Sequence, residues 1–356
     1  MPYPKPKFRR AEVDAAGRVL AETEVADSDS IPARHRAREV VDDWRASHGY
    51  PLVTLRILLQ ERARRVDPEA LVAQRLKRLA SVEAKLRRFP GMKVSRMQDL
   101  GGCRAVLPSV RAVGELVELY RTGREEHEFV KESDYIGQPK GNGYRSLHRV
   151  YRYRSRASRN AAWDGHRIEV QIRSRLQHAW ATAVETVDAI TGTQLKTSGP
   201  ANGDWDRFFA LMGSVLAIEE GCPLVPGTPV ALSELRDEVR DLVRLLDVEG
   251  SLFGLGVAIQ RVPLPADAAW FLMMVDAANR RVFVQRYDAR NFSAAQAEYL
   301  RLEAEHEGKP GFQACLLSTD SAKALRQAYP NYFLDVSVFA ESLNLFLGIP
   351  SDRASR

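Results

Sequence analysis

Arg167–Arg173 reads R-I-E-V-Q-I-R, a strict alternation over seven residues that admits a half-buried β-strand and little else. Ile168, Val170 and Ile172 fall on one face, and Arg167, Glu169, Gln171 and Arg173 on the other. Packing accounts for the apolar face. The polar face has two readings: a solvated outer surface, or one wall of a charged cleft in which Glu169 holds a cation and the arginines meet phosphate oxygens. The preceding stretch, Asp134–His148, reads D-Y-I-G-Q-P-K-G-N-G-Y-R-S-L-H. Pro139, Gly141 and Gly143 make it a turn-rich loop with little freedom for a helix. It presents Lys140, a phosphate-seeking cation, then Asn142, then Tyr144 at the mouth of the next strand, a flat ring on which a base can stack.

D-Y-I-x-x-P-K-x-N-G-Y-R-S-L-H followed by I-E-V-Q-I-R resembles the signature of the RelA/SpoT-homologue alarmone synthetases, and the likeness extends over roughly residues 50–220. The resemblance implies an α/β (α+β) fold, a nucleotidyltransferase-like mixed β-sheet flanked by helices. It implies magnesium-dependent transfer of the β,γ-pyrophosphate of ATP to the 3′-hydroxyl of a guanosine nucleotide, GDP or GTP. Carried over residue by residue, the family motif falls on Asp99, Arg104, Glu169 and Gln171 as catalytic positions, with Asp99 and Glu169 as ligands of Mg2+. It places Arg75, Lys77, Ser81, Lys85, Arg88 and Arg173 on ATP, and Lys131, Lys140, Asn142, Tyr144, His148 and Glu185 on the acceptor.

Two departures stand out. The usual pattern has a lysine directly before D-Y-I, whereas this chain has Lys131-Glu132-Ser133-Asp134, so Lys131 would act through a longer loop. The residues around Glu185 (Ala183-Val184-Glu185-Thr186) also differ from the common forms, which leaves the acceptor base open. Similar proteins include toxins that modify adenosine nucleotides or the 3′ end of tRNA. A non-catalytic nucleotide- or RNA-binding regulator is the reading from a different class.

The residues carry their own, weaker signals. Spacing predicts a helix over 73–88 with Lys77, Ser81, Lys85 and Arg88 on one face and Leu79, Val82 and Leu86 opposite; most such basic faces are merely solvated. Met97–Leu107 reads as a strand entered at Asp99. A lone Asp there is usually a turn residue, and only a partner such as Glu169 on a neighbouring strand makes it a cation ligand. His148 has a bland reading as a packed, hydrogen-bonded strand histidine. Thr122–Asp134 reads as a charged loop, and Arg152, Arg154, Arg156 and Arg159 as a basic loop, either solvated or facing a polyanion.

The length suits two domains. Residues 1–30 read as an N-terminal arm, 31–221 as the synthetase domain, 222–230 as a linker, and 231–350 as a small α+β accessory domain for regulation, dimer formation or partner binding. Glu298, Glu303, Glu305 and Glu307 read as a solvated acidic helix end. Gly192–Asp204 reads as a mobile loop. The net charge of +6 favours an anionic partner. Cys103, Cys222 and Cys315 are far apart with no C-x-x-C pair, which points away from zinc and disulfides and toward the cytoplasm. No apolar run suggests a secretory leader or a membrane span. His35, Asp42 and Asp43 hint at a His-Asp phosphohydrolase, but about fifty residues cannot hold that domain. The expected partners are ATP and a purine nucleotide, with tRNA, a neutralising protein and a second copy of the chain left open.

Overall fold

The computed structural model describes residues 3–22, 30–124, 126–191, 203–248, 270–276, 281–288, 291–306, 312–318 and 336–349. Its strands are β1 (Leu71–Leu76), β2 (Gly101–Leu107), β3 (Glu128–Asp134), β4 (Leu147–Arg152), β5 (Arg167–Ser174), β6 (Trp270–Asp276), β7 (Arg281–Tyr287) and β8 (Phe312–Ser318). They form one mixed sheet in the order β3-β4-β5-β2-β1-β8-β6-β7. β2 and β5 run parallel, and the other neighbours run antiparallel.

The alternation of β5 decides what each sheet face does. Ile168, Val170 and Ile172 are fully buried against Leu52, Leu55 and Leu59 of α3 (Gly49–Val66) and Val113, Leu116 and Val117 of α5 (Val110–Thr122). Ser109 caps α5 by accepting the Ala112 N–H at 3.3 Å. α1 (Arg10–Ala21), α2 (Ser30–Ala46) and α4 (Leu79–Arg88) form a second cluster through Val13, Leu20, Val41, Trp44, Val82 and Leu86. A third joins α6 (Arg175–Thr191), α7 (Gly203–Glu220), α8 (Leu232–Leu245) and α10 (Ser337–Leu347), whose predecessor α9 (Phe292–Glu305) lies on β6 and β8.

Several expectations change. Among the described residues, the strands of 231–350 do not form a separate sheet. β8 pairs with β1, Gln74 opposite Ser318 and Arg75 opposite Leu317, so β6, β7 and β8 extend the sheet of β1–β5. Alternation along a strand says which face is buried, not which edge it joins, so sequence could not show this. The stretch 222–230 is anchored at two points: Val225 is buried and its N–H donates to Ser214 Oγ at 2.9 Å, and the Pro223 carbonyl accepts from Arg145.

The helix expected over 73–88 is two elements, β1 and then α4, with Lys77 in the turn between them. The charged stretch before Asp134 contains β3, an edge strand whose hydrogen bonds to β4 outweigh its weak hydrophobic pattern. Asp99 lies just before β2 rather than inside it. Glu303 is not a solvated acid; it is half-buried, and burial raises its carboxyl above the ordinary value. Glu307, and residues 192–202 of the expected mobile loop, lie outside the described residues. No helix among the described residues is long and apolar enough to cross a membrane.

Two buried histidines give stability a pH dependence. His48 Nδ1 lies 2.8 Å from the Trp44 carbonyl, and His166 bridges the Trp163 carbonyl at 2.8 Å and Ser47 Oγ at 2.7 Å. Burial lowers His48 to about 4 and puts His166 well below its ordinary value, with Arg10 pushing both the same way. Both rings are therefore neutral in the folded chain, while the unfolded chain takes up protons below about pH 6.5. Stability is full above that pH and is lost as pH falls toward 4, by up to about 1.4 kcal/mol per pH unit per histidine. Thermal unfolding should show Tm falling steadily from pH 7 to pH 5; a flat profile there contradicts the assignment.

Candidate active site

The face of the sheet opposite α3 and α5 lines a cavity of about 380 Å³, within the size range of small-molecule sites. Register builds its floor in two rows. Arg75, Gly102, Glu169, Val150 and Lys131 run side by side across β1, β2, β5, β4 and β3. Ala73, Arg104, Gln171, His148 and Ser133 form the neighbouring row in the same strand order. All ten line the cavity, joined by Arg173 further along β5, Lys77 and Asp99 from the loops beside β1 and β2, and Glu185 from α6. Tyr135, Lys140, Asn142 and Tyr144 come from the loop between β3 and β4.

Charge is lopsided. Arg75, Lys77, Arg104, Lys131, Lys140 and Arg173 face Asp99, Glu169 and Glu185. Asp99 Oδ2 accepts from Lys77 Nζ at 2.9 Å, and Lys85 Nζ reaches both its oxygens at 3.0 and 3.1 Å. Burial pushes Asp99 up, but the two lysines together hold it well below the usual carboxylate range. Glu169 is likewise raised by burial and by Asp99, and brought below its ordinary value by hydrogen bonds from His148 and Gln171. Both carboxylates are therefore ionised at neutral pH.

An ionised carboxylate only accepts, so His148 carries its proton on Nδ1, 2.9 Å from Glu169 Oε1. Its Nε2 lies 2.8 Å from the Tyr144 hydroxyl. Burial raises that phenol to about 12, so it keeps its proton. Gln171 Nε2 donates to the other oxygen of Glu169 at 2.7 Å. Glu169 is thus fixed from two sides, and His148 is fixed between it and Tyr144.

Arg173 is buried, and burial together with Arg104 lowers its guanidinium to about 9, with Tyr144 and Glu185 opposing. A bound anion would relieve that crowding. Tyr144 is positioned by its own loop. Its N–H donates to Asn142 Oδ1 at 3.1 Å, and Gly143 beside it has φ +90°. A Cβ at Gly143 would lie 2.6 Å from the Phe209 carbonyl of α7, so glycine is required there for both conformation and space. The Lys140 ammonium lies 4.1 Å from the Tyr135 ring centre and 5.0 Å from that of Tyr144.

Most residues singled out from sequence meet here. Lys85 reaches the site through Asp99 without lining the cavity, whereas Ser81 and Arg88 do not line it, and Arg88 is exposed beside Phe89. Sequence reading missed Tyr135, Ser133, Gln98, Gly102 and Ala73 as lining residues. Tyr135 stands in the D-Y-I stretch itself, and the strand phase of β3 would have found Ser133 had that strand been recognised.

Among the described residues no three His, Cys, Asp or Glu side chains converge as a metal centre. Magnesium does not need three: it is commonly held by one or two carboxylates, with phosphate and water completing six ligands. Two ionised carboxylates in one cavity, close enough for one to raise the other, fit that requirement. The basic loop behaves differently. Arg152 and Arg154 pair with Glu128, and Arg156 lies 3.6 Å from Glu126.

Residues 74–187 match the family model described as the region found in RelA / SpoT proteins. The GTP pyrophosphokinase YjbM of Bacillus subtilis (strain 168) is 32% identical over 119 residues, 33% of this chain and 54% of that protein, so the match spans about half of the relative's length. Solved structures that this chain matches include the small alarmone synthetase 1 of Bacillus subtilis bound to its product pppGpp, 21% identical with a TM-score of 0.38, covering 57% of this chain and 93% of that one. Small alarmone synthetase 2 of the same organism is 20% identical with a TM-score of 0.41, covering 50% and 94%.

Gly143→Ala should lower the unfolding free energy by about 1–3 kcal/mol through left-handed strain and the clash with α7. Urea denaturation measures it, and an unchanged midpoint would show that the loop is not held as described.

Proposed function

We propose that this chain, whose residues 74–187 are a RelA/SpoT region, transfers the β,γ-pyrophosphate of ATP to the 3′-hydroxyl of a guanosine nucleotide, GDP or GTP. The observation that carries the reading is the cavity floor. Two ionised carboxylates, one on β5 and one in the loop before β2, stand among six cations, with a tyrosine ring at one side. A triphosphate and a base are what such a wall accommodates.

The reaction asks for charge neutralisation and alignment more than for covalent help. The acceptor 3′-oxygen bonds to the β-phosphorus as the bond from that phosphorus to the α-bridging oxygen breaks. AMP leaves with the electron pair, and the hydroxyl proton passes to a base. Arg75, Lys77, Arg104 and Arg173 would neutralise the donor phosphates, and Lys85 holds Asp99 in place beside Lys77. Tyr144 would orient the acceptor purine, with Lys131, Lys140, Asn142, His148 and Glu185 around it. Magnesium held by Asp99 and Glu169 would supply Lewis-acid neutralisation of phosphate oxygens when bound. The pairing of Arg152, Arg154 and Arg156 with glutamates favours a free nucleotide over a tRNA acceptor.

The deciding assay gives the purified chain γ-labelled ATP and magnesium with GDP, GTP, ATP or tRNA as acceptor. Label should appear in a guanosine 3′-pyrophosphate. Label on adenosine nucleotide or tRNA would replace the acceptor, and no transfer with retained ATP binding would make the chain a nucleotide-binding regulator. Glu169→Gln should lower turnover at least about 100-fold with little change in Tm; normal turnover in that variant rules the site out. Tyr144→Ala should raise the acceptor KM by about tenfold, as loss of one base stack predicts, while leaving the KM for ATP nearly unchanged.

A further inference from the structure

We infer that the C-terminal segment is a working part of the donor-nucleotide site, with Tyr299 of α9 acting as a positioning residue for the turn that presents Lys77. The inference rests on the ATP-binding reading of the cavity and adds to it a role for α9.

Lys77 and Arg78 form the turn between β1 and α4. Lys77 places its ammonium on Asp99, and its backbone is gripped on both sides. Its N–H donates to the Leu100 carbonyl at 2.8 Å, and its carbonyl accepts from Arg45 Nη1 at 3.3 Å. α4 then begins with no side-chain cap from Arg78. The first helical N–H groups have no partner within a helix, and a buried one left unmet is costly. The Leu79 N–H finds its acceptor far away in sequence, at the Tyr299 hydroxyl, 3.3 Å distant.

Tyr299 is itself anchored. It is 1% exposed, Glu303 lies one turn further along α9, and the Arg45 guanidinium stands 4.7 Å from its ring centre. Arg45, also 1% exposed, is held by Asp42 Oδ1 at 2.5 and 2.8 Å, and Gln296 Nε2 donates to Asp42 Oδ2 at 3.3 Å. One hydroxyl therefore caps α4, and the cation on its ring holds the Lys77 carbonyl. β8 adds a second hold on the same strand, since Leu317 lies opposite Arg75. The turn that carries Lys77, and the helix that carries Lys85, are set by α9 and β8 as much as by β2. Losing the Tyr299 hydroxyl frees the start of α4 and loosens both lysines around Asp99, while the far wall with Tyr144 and His148 stays as it is.

Tyr299→Phe keeps the ring over Arg45 and removes only the acceptor. In the full chain it should raise the KM and the Kd for ATP about tenfold, leave the acceptor KM within twofold, and speed amide exchange at Leu79 but not in β2. Glu303→Gln, which leaves the Tyr299 hydroxyl in place, should stay within twofold of wild type for both substrates. The inference alone is overturned if the wild type binds ATP and transfers but the Phe variant leaves ATP affinity unchanged, shifts both substrates alike, or only lowers Tm. If the wild type neither binds ATP nor transfers, the functional reading fails and this one falls with it. Should the Phe variant not fold, exchange in the unaltered protein decides: strong protection of the Leu79 amide without nucleotide supports the clamp, and exchange as fast as at an exposed helix end overturns it.

Discussion

The parallel pairing of β2 with β5 is the constraint from which the site follows. It sets Gly102 beside Glu169 and so draws Asp99, just ahead of β2, toward a carboxylate seventy positions later. Two buried acids repel one another and lose hydration, so the arrangement survives only with compensation. Lys77 and Lys85 supply it at Asp99, and His148 and Gln171 supply it at Glu169. The compensating groups come from four places: the turn after β1, α4, β4 and β5. The sheet order and the site are therefore one problem with one solution.

The cavity is unbalanced in the absence of ligand. Arg173 is crowded by Arg104 within a buried wall, and Lys140 rests over two tyrosine rings. A polyanion would relieve the first arrangement, and a flat aromatic ligand would compete with Lys140 for the second. The acceptor side is firm by contrast. Glu169, His148 and Tyr144 form an unbroken hydrogen-bonded line, and the loop before Tyr144 packs on α7, where Gly213 approaches Gly143 closely.

The C-terminal elements change what the molecule is. The strands past residue 270 continue the sheet from the edge of β1, and α9 reaches back to α2 and to the start of α4. A buried Arg–Asp pair with a tyrosine over it is a specific contact rather than a generic one, because displacing any member strands a charge. The segment shares the core of the sheet, with Trp270, Phe292 and Leu316 in the same cluster as Leu52 and Ile168.

Patterns that depend on near neighbours were legible in the sequence. The alternation of β5 and the Gly/Pro loop before Tyr144 follow from local periodicity and turn chemistry. Glu169, Gln171 and Arg173 could be named from the polar phase of β5, whereas Arg75, Lys77, Lys131 and Glu185 were named through the resemblance to the family motif. Only the tertiary structure decided what lies beside what. β3 is a strand because β4 offers it hydrogen bonds, and Lys77 leaves the helix because β1 pairs on both edges. The C-terminal strands join the existing sheet because the edge of β1 accepts β8. Period fixes which face of an element is buried, whereas partner, edge and register come from contacts between residues far apart in the chain, which no local pattern encodes.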